Sequence, residues 1–189
     1  MLRDLVLKNR SYRRFHEDVR IERGTLRHLV DLARLSSSGA NLQSLKYLFS
    51  TEPEKNGRIF ATLGWAGYLK EWDGPVEGER PSAYIVMLFD SAIAKSCFWD
   101  HGIAAQSIML GAVEQGLGGC MFGNVNRDEL RRVLGVEERF EILMVLALGK
   151  PKEEVRLVPL PPDGDIRYYR DAKGVHHVPK RSLEEIILG

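Results

Sequence analysis

The chain has 189 residues, 44% of them apolar and 28% charged, an ordinary globular balance that supports one sizeable core and a single domain over 1–189. Lys plus Arg is 27 and Asp plus Glu is 26, a formal net charge of +1. That argues against a protein built to grip nucleic acid or an anionic membrane, but it leaves room for a local anion site. No apolar run approaches the roughly 18 residues that span a bilayer. The opening MLRDLVLKNR is too short and too charged for a signal peptide. Cys97 and Cys120 make neither a disulfide framework nor a four-ligand zinc site. A cytoplasmic setting is the expectation.

Residues 2–8 read as a short helix. Thr25 reads as the N-cap of a second, whose apolar Leu26, Leu29, Val30, Leu32 and Ala33 keep the helical period until Ser36-Ser37-Ser38-Gly39 breaks it. Residues 45–50 suit a short strand, and Pro53 the first turn of a helix reaching about Leu63. The stretch from Gly64 to Pro81 is rich in Gly, Pro, Trp and charge, an ordered loop with aromatic anchors. SAYIVMLF over 82–89 is a buried strand. Residues 96–116 form a long helix, most apolar along Phe98, Ala105, Ile108, Met109 and Ala112, for the core or a subunit interface.

Gly116, Gly118 and Gly119 end that helix in a glycine-rich connection. Asn126 caps a helix over 127–134 that Gly135 stops. FEILMVLAL over 140–148 is a second buried strand. A charged connector follows, then IRYY and VHHV flanking DAKG as a small hairpin, and SLEEIIL as a final strand or helix. The order has no regular βαβ alternation, so the class is α+β with a mixed, mostly antiparallel sheet flanked by helices. Residues 151–189 make a long C-terminal arm, suited to wrapping a second subunit.

Several common sites are missing. There is no phosphate-binding G-x-x-x-x-G-K-[ST], and the G-x-G-x-x-G pattern fails at Met121. No G-x-S-x-G marks a nucleophile. Cys97 and His101 share a helix face but lack a third metal ligand, so no metal is expected. His176 and His177 face opposite sides of a strand.

Three polar clusters remain. Arg10, Ser11 and Arg13 offer guanidinium forks and a hydroxyl suited to phosphate. Ser38, Asn41 and Gln43 offer hydroxyl and amide groups suited to the donor and acceptor edges of a heterocycle. Gly116 to Asn124 offers close backbone approach to a flat ligand, with Met121 and Phe122 to pack on its face. Each is weak alone, being equally readable as a solvated turn, a helix stop or a core connection.

Their order and spacing resemble the FMN-dependent nitroreductase family. The resemblance rests on Arg10-Ser11-Tyr12-Arg13-Arg14-Phe15, on Ser37 to Gln43, and on Gly116 to Gly123 after a long apolar helix. Gly149-Lys150-Pro151 and Lys180-Arg181-Ser182-Leu183-Glu184-Glu185 complete it. It covers about residues 8 to 187. The sequence departs from the family at Ser37, where a proline is usual, and at Ser44-Leu45, where Pro-Trp is usual.

The resemblance implies an α+β homodimer that exchanges its C-terminal arm and binds FMN at the subunit interface. Arg10, Ser11 and Arg13 would hold the phosphate, ribityl and pyrimidine side, with Lys180 or Arg181 adding a phosphate contact. Ser38 and Asn41, with Gln43 beside them, would approach the ring from the other subunit. Met121, Phe122, Gly123 and Asn124 would lie against it, Gly123 supplying an N–H near flavin N5. NADH or NADPH would give hydride to the flavin, and an electron-poor nitroaromatic, quinone or enone would take it. Trp65, Tyr68 or Trp72 would shape the substrate pocket from the loop. The alternatives are specialised flavin chemistry on the same fold, a flavin- or partner-binding protein without turnover, and an interaction domain with no flavin.

Overall fold

The computed structural model describes residues 1–189. Two long strands define it, β3 (Ala83–Asp90) and β5 (Phe140–Pro151), antiparallel from Ala83 opposite Leu148 to Asp90 opposite Phe140. A register shift between Met87 and Leu88 accommodates one extra residue of β5. β2 (Leu45–Ser50) pairs along the outer edge of β3. The free edge of β5 takes two short partners end to end, β4 (Gly118–Phe122) and β1 (Phe15–His16). Every pairing in this five-stranded sheet is antiparallel.

Side chains alternate across a strand, and here both faces are apolar. Ile85, Met87, Leu146 and Leu148 point to one side, where α2 (Arg23–Leu35) and α4 (Asp100–Glu114) cover them with Leu26, Leu29, Ile108 and Met109. Tyr84, Val86, Leu88 and Val145 point to the other, against Ile59 of α3 (Pro53–Phe60) and Leu130 of α5 (Arg127–Leu134). The α+β class and mostly antiparallel sheet expected from the sequence are the observed ones. No helix is long and apolar enough to cross a membrane.

Local chemistry sets the helix ends. The Asn126 side chain accepts the Glu129 N–H, and Gly135 closes α5 at φ +63°. Helix α2 starts earlier than expected: Glu22 is its N-cap, and Thr25 already donates its N–H to the Glu22 carbonyl. Helix α3 stops at Phe60 because Leu63 is drawn into a bridge with Val125. Helix α4 begins at Asp100 rather than at 96, since Phe98 adopts a left-handed φ of +46° that a helix cannot contain. The Phe98 ring is therefore 52% exposed and not on the core face.

The C-terminal region folds back on its own chain. β6 (Val155–Pro159) runs parallel to β8 (His176–Lys180), which also pairs antiparallel with β7 (Tyr169–Arg170). The expected hairpin is thus one edge of a three-stranded sheet, whose third strand is part of the expected connector. Arg170 pairs with the buried Glu153 at 2.9 Å, fixing this small sheet beside the Arg13 segment. Residues 181–189, with the short α6 (Leu183–Ile186), stay exposed.

Candidate functional site

A cavity of about 330 Å³ lies between the segment after α1 (Leu2–Lys8), the middle of α4, strand β4 and the C-terminal sheet. Asn9, Arg10, Ser11 and Arg13 come from the first of these, Gln106 and Met109 from α4, and Gly119 and Met121 from β4. Tyr168, His176, Val178 and Lys180 close it.

Backbone approach builds the cavity. Ser11 forms a parallel bridge with Gly119, and the Tyr12 N–H donates to the Gly119 carbonyl at 2.9 Å. A Cβ on Gly118 would come 2.6 Å from the Tyr12 ring, and one on Gly119 would strike the Ala147 carbonyl and the Leu148 side chain. Only glycine lets the cationic segment lie across β4 so closely.

Arg13 is 9% exposed. Its guanidinium meets the Ser11 carbonyl at 3.3 Å and His176 Nε2 at 3.3 Å, and stacks 4.7 Å from the centre of the Tyr168 ring. Arg10 donates to the Val6 carbonyl at 2.6 Å, while its Nε is buried with no partner. Burial pushes the Arg10 pKa down. None of Arg10, Arg13 and Lys180 forms an ion pair with a carboxylate. The nearby Glu153 is spent on the Arg13 backbone N–H and on Arg170.

His176 is 1% exposed, and its pKa is lowered to about 4, by burial first and then by Arg13, Arg170 and His177. It is neutral at pH 7. Arginine can only donate, so His176 Nε2 accepts and Nδ1 carries the proton, buried and without a partner. The cavity is rich in donors and cations and has no anion of its own.

A second cavity of about 170 Å³ gathers Ser36, Ser37, Ser38, Asn41 and Gln43 against Asp100 and Ala104 at the start of α4. Asp100 holds this turn: it accepts from the Ser38 hydroxyl at 2.6 Å and the Gly39 N–H at 2.8 Å. Ala40, Asn41 and Gln43 all have left-handed φ, so the turn is strained and depends on such a staple.

The nitroreductase family model matches residues 80–150, from just before β3 nearly to the end of β5. A nitroreductase family protein from Streptococcus pneumoniae TIGR4 superposes with a TM-score of 0.73 at 17% identity, over 100% of both chains. An FMN-dependent nitroreductase from Clostridium difficile R20291 gives 0.65 at 22% identity, over 79% of this chain and 87% of its own. The NADPH:FMN oxidoreductase of Vibrio harveyi, complexed with NAD+, gives 0.65 at 24% identity, over 85% and 73%. This chain has the nitroreductase fold. The sequence resemblance is to that same family, and no curated protein matches the chain significantly.

Within the nitroreductase fold the expected residues fall into separate groups. Arg10, Ser11, Arg13, Met121 and Lys180 share the first cavity, and Ser38, Asn41 and Gln43 share the second. Arg181 lies beyond Lys180, exposed and paired with Glu185. Phe122 is turned away from the first cavity, its ring buried 4.6 Å from Trp65. Gly123 and Asn124 follow at the surface, Asn124 accepting the Gly64 N–H at 2.9 Å.

None of Trp65, Tyr68 and Trp72 lines the first cavity. Trp65 packs on Phe60 and Phe122, and Trp72 lies under Arg170 at 4.3 Å. Tyr68 is 47% exposed and packs at a tilt, 4.9 Å between ring centres, against Tyr168, which does line the cavity. Gln106, Tyr168 and His176 also line the cavity but were not among the expected residues. The histidine doublet was their one signal in the sequence, with no means of telling which imidazole faces inward. Cys97 Sγ sits 3.6 Å from His101 Nδ1, and no third ligand joins them.

Proposed function

We propose that the chain is an FMN-dependent oxidoreductase that uses NADH or NADPH to reduce an electron-poor small molecule such as a nitroaromatic, a quinone or an enone. The observation that carries this reading is the first cavity, where Arg10, Arg13 and Lys180 converge with no carboxylate to neutralise them. Partly buried guanidinium groups without a counter-charge are costly unless an anion joins them. A phosphate monoester on a hydroxylated chain answers the unmet donors at Arg10 Nε and His176 Nδ1, and Ser11, Asn9 and Gln106 suit the hydroxyls. The names of two structural relatives, an FMN-dependent nitroreductase and an NADPH:FMN oxidoreductase, point to the same cofactor.

In this reading Arg10, Ser11, Arg13 and Lys180 hold the phosphate end, with Arg181 as a second cation once it leaves Glu185. Met121, 38% exposed on the cavity side of β4, offers its thioether to the ring face, and Gly123 offers a backbone N–H. Phe122 contributes through its backbone, since its ring is in the core, and Asn124 sets the surface turn beside it. Bound FMN would supply the hydride chemistry at N5, and one open cleft would serve reductant and acceptor in turn. The protein's part is to bind, orient and exclude water.

The chain acts as one unit and as a homodimer, in which the partner's turn equivalent to Ser38, Asn41 and Gln43 completes the site. Exposed Leu2, Val6, Leu7, Trp99 and Ile103, with Leu183, Ile186, Ile187 and Leu188 of the C-terminal segment, favour that assembly. Tyr68 is the loop aromatic best placed to shape the acceptor pocket, and Trp65 and Trp72 anchor the loop.

The test is a visible spectrum after mixing with FMN and removing the excess by gel filtration, followed by anaerobic addition of NADH or NADPH. A retained flavin spectrum that each nicotinamide, or one of them, bleaches is the expected result. A colourless protein removes the flavin reading. A yellow protein that neither nicotinamide reduces leaves a flavin-binding protein and removes the enzyme.

A further inference from the structure

A third cavity, of about 330 Å³, shares no lining residue with either of the others. It lies between the segment after β1, the first turns of α3 and the start of β3. We infer that it binds a small zwitterion of the α-amino acid class. This inference is independent of the flavin reading.

Three buried groups in its wall have no partner. Asn56, 7% exposed, donates through Nδ2 to the Ser82 carbonyl at 2.8 Å. That bond fixes the amide, so Oδ1 is the acceptor left unmet. The Ser82 hydroxyl is unmet as well, on a residue 9% exposed, and so is Arg80 Nε. Native proteins rarely leave such atoms without a protein, water or ligand partner.

The charges give the ligand its class. Arg20 and Arg80 line the cavity together with Glu17 and Asp18, yet neither guanidinium comes within 4.0 Å of a Glu17 or Asp18 carboxylate oxygen. Two cations and two anions around one polar cavity, unpaired with each other, leave space for a molecule that carries both signs. The frame is fixed in advance. Glu17 Oε2 accepts the Gly78 N–H at 2.6 Å and the Arg80 N–H at 3.1 Å, and the Arg80 guanidinium lies over the Phe60 ring at 4.6 Å with its edges free.

A guanidinium edge matches a carboxylate. Asn56 Oδ1 and the acidic rim match an ammonium group. A simple anion would leave Asn56 Oδ1 unmet and face Glu17 and Asp18. A simple amine would leave Arg80 unmet. The volume is at the small end of ligand sites, which suits a single amino acid.

The experiment is calorimetric titration of the full chain with the common α-amino acids. The tightest is then compared with its 2-hydroxy acid, its decarboxylated amine and inorganic phosphate. The amino acid is expected to bind at least about tenfold more tightly than each single-charge analogue. Arg80→Met and the surface change Asp18→Asn should each weaken it by about tenfold or more, with FMN titration unchanged. No amino acid binding at about 10 mM would overturn the inference. So would equal affinity for the hydroxy acid, the amine or phosphate. Both variants binding as the parent does would also overturn it, and Asp18→Asn keeps that arm valid if Arg80→Met fails to fold.

Discussion

Arg13 concentrates the argument at the scale of single residues. Its charge is buried, and its neighbours are a carbonyl, a neutral imidazole and an aromatic face. Arg13→Met should therefore weaken FMN binding by about 2 kcal/mol, or about thirtyfold in Kd. Flavin fluorescence quenching would measure this, and Arg13→Lys should recover only part of it because the bidentate fork is lost. Glu79 gives a pH prediction. The Arg14 hydrogen bonds, with help from Lys152, hold its carboxyl down from 4.5 to about 2. A depressed folded pKa contributes stability above the unfolded value that is lost as pH falls through the folded one. The parent should lose stability between pH 4.5 and about 2. Glu79→Gln should be less stable at pH 7 and should lose less across that window, which thermal melts at several pH values would show. The candidate site was half legible at this scale. Arg10, Ser11 and Arg13 advertise anion chemistry by residue type. Tyr168 and His176 do not, because their role comes from β7 and β8 carrying them back to Arg13, a pairing no local pattern announces.

Among the elements, β4 shows why some of the fold stayed hidden. Its sequence, GGCMF, reads as a connection because glycine lowers strand propensity. The close approach of Tyr12, Ala147 and Leu148 is what requires those glycines. Gly119→Ala should cost about 1–3 kcal/mol in a urea melt, more than an exposed glycine such as Gly67 would. Helix α5 was legible to the residue because its two stops, Asn126 and Gly135, act locally. The start of α4 was not, because the left-handed Phe98 that ends it upstream belongs to no residue type that favours that conformation, while Asp100 is held from a distance by Ser38 and Gly39. Asp100→Ala should free the strained Ser38–Gln43 turn, costing about 1–3 kcal/mol of stability. In the proposed dimer it should also weaken FMN binding while leaving the Arg13 cavity in place, which the same melt and quenching titration would separate.

For the whole molecule, the two buried strands were legible in their apolar runs, and the α+β class in an element order without βαβ alternation. The return of the C-terminal sheet onto its own chain was not. That return leaves exposed apolar side chains near Met1 and Leu188 and at Trp99, 75% exposed, where the proposed second subunit would sit. Gel filtration should give a dimer for the parent, and Trp99→Glu should shift it toward monomer. The first cavity takes its walls from residues 9 to 13, 106 to 121 and 168 to 180. Strand β5 carries both β4 and β1, so neither wall is in place until β5 is paired. A chain still emerging from the ribosome therefore has no half-built version of this cavity to fill. Its cationic lining is complete only once Lys180 has been made and the C-terminal sheet has folded back onto Arg13, so loading should follow synthesis of that sheet.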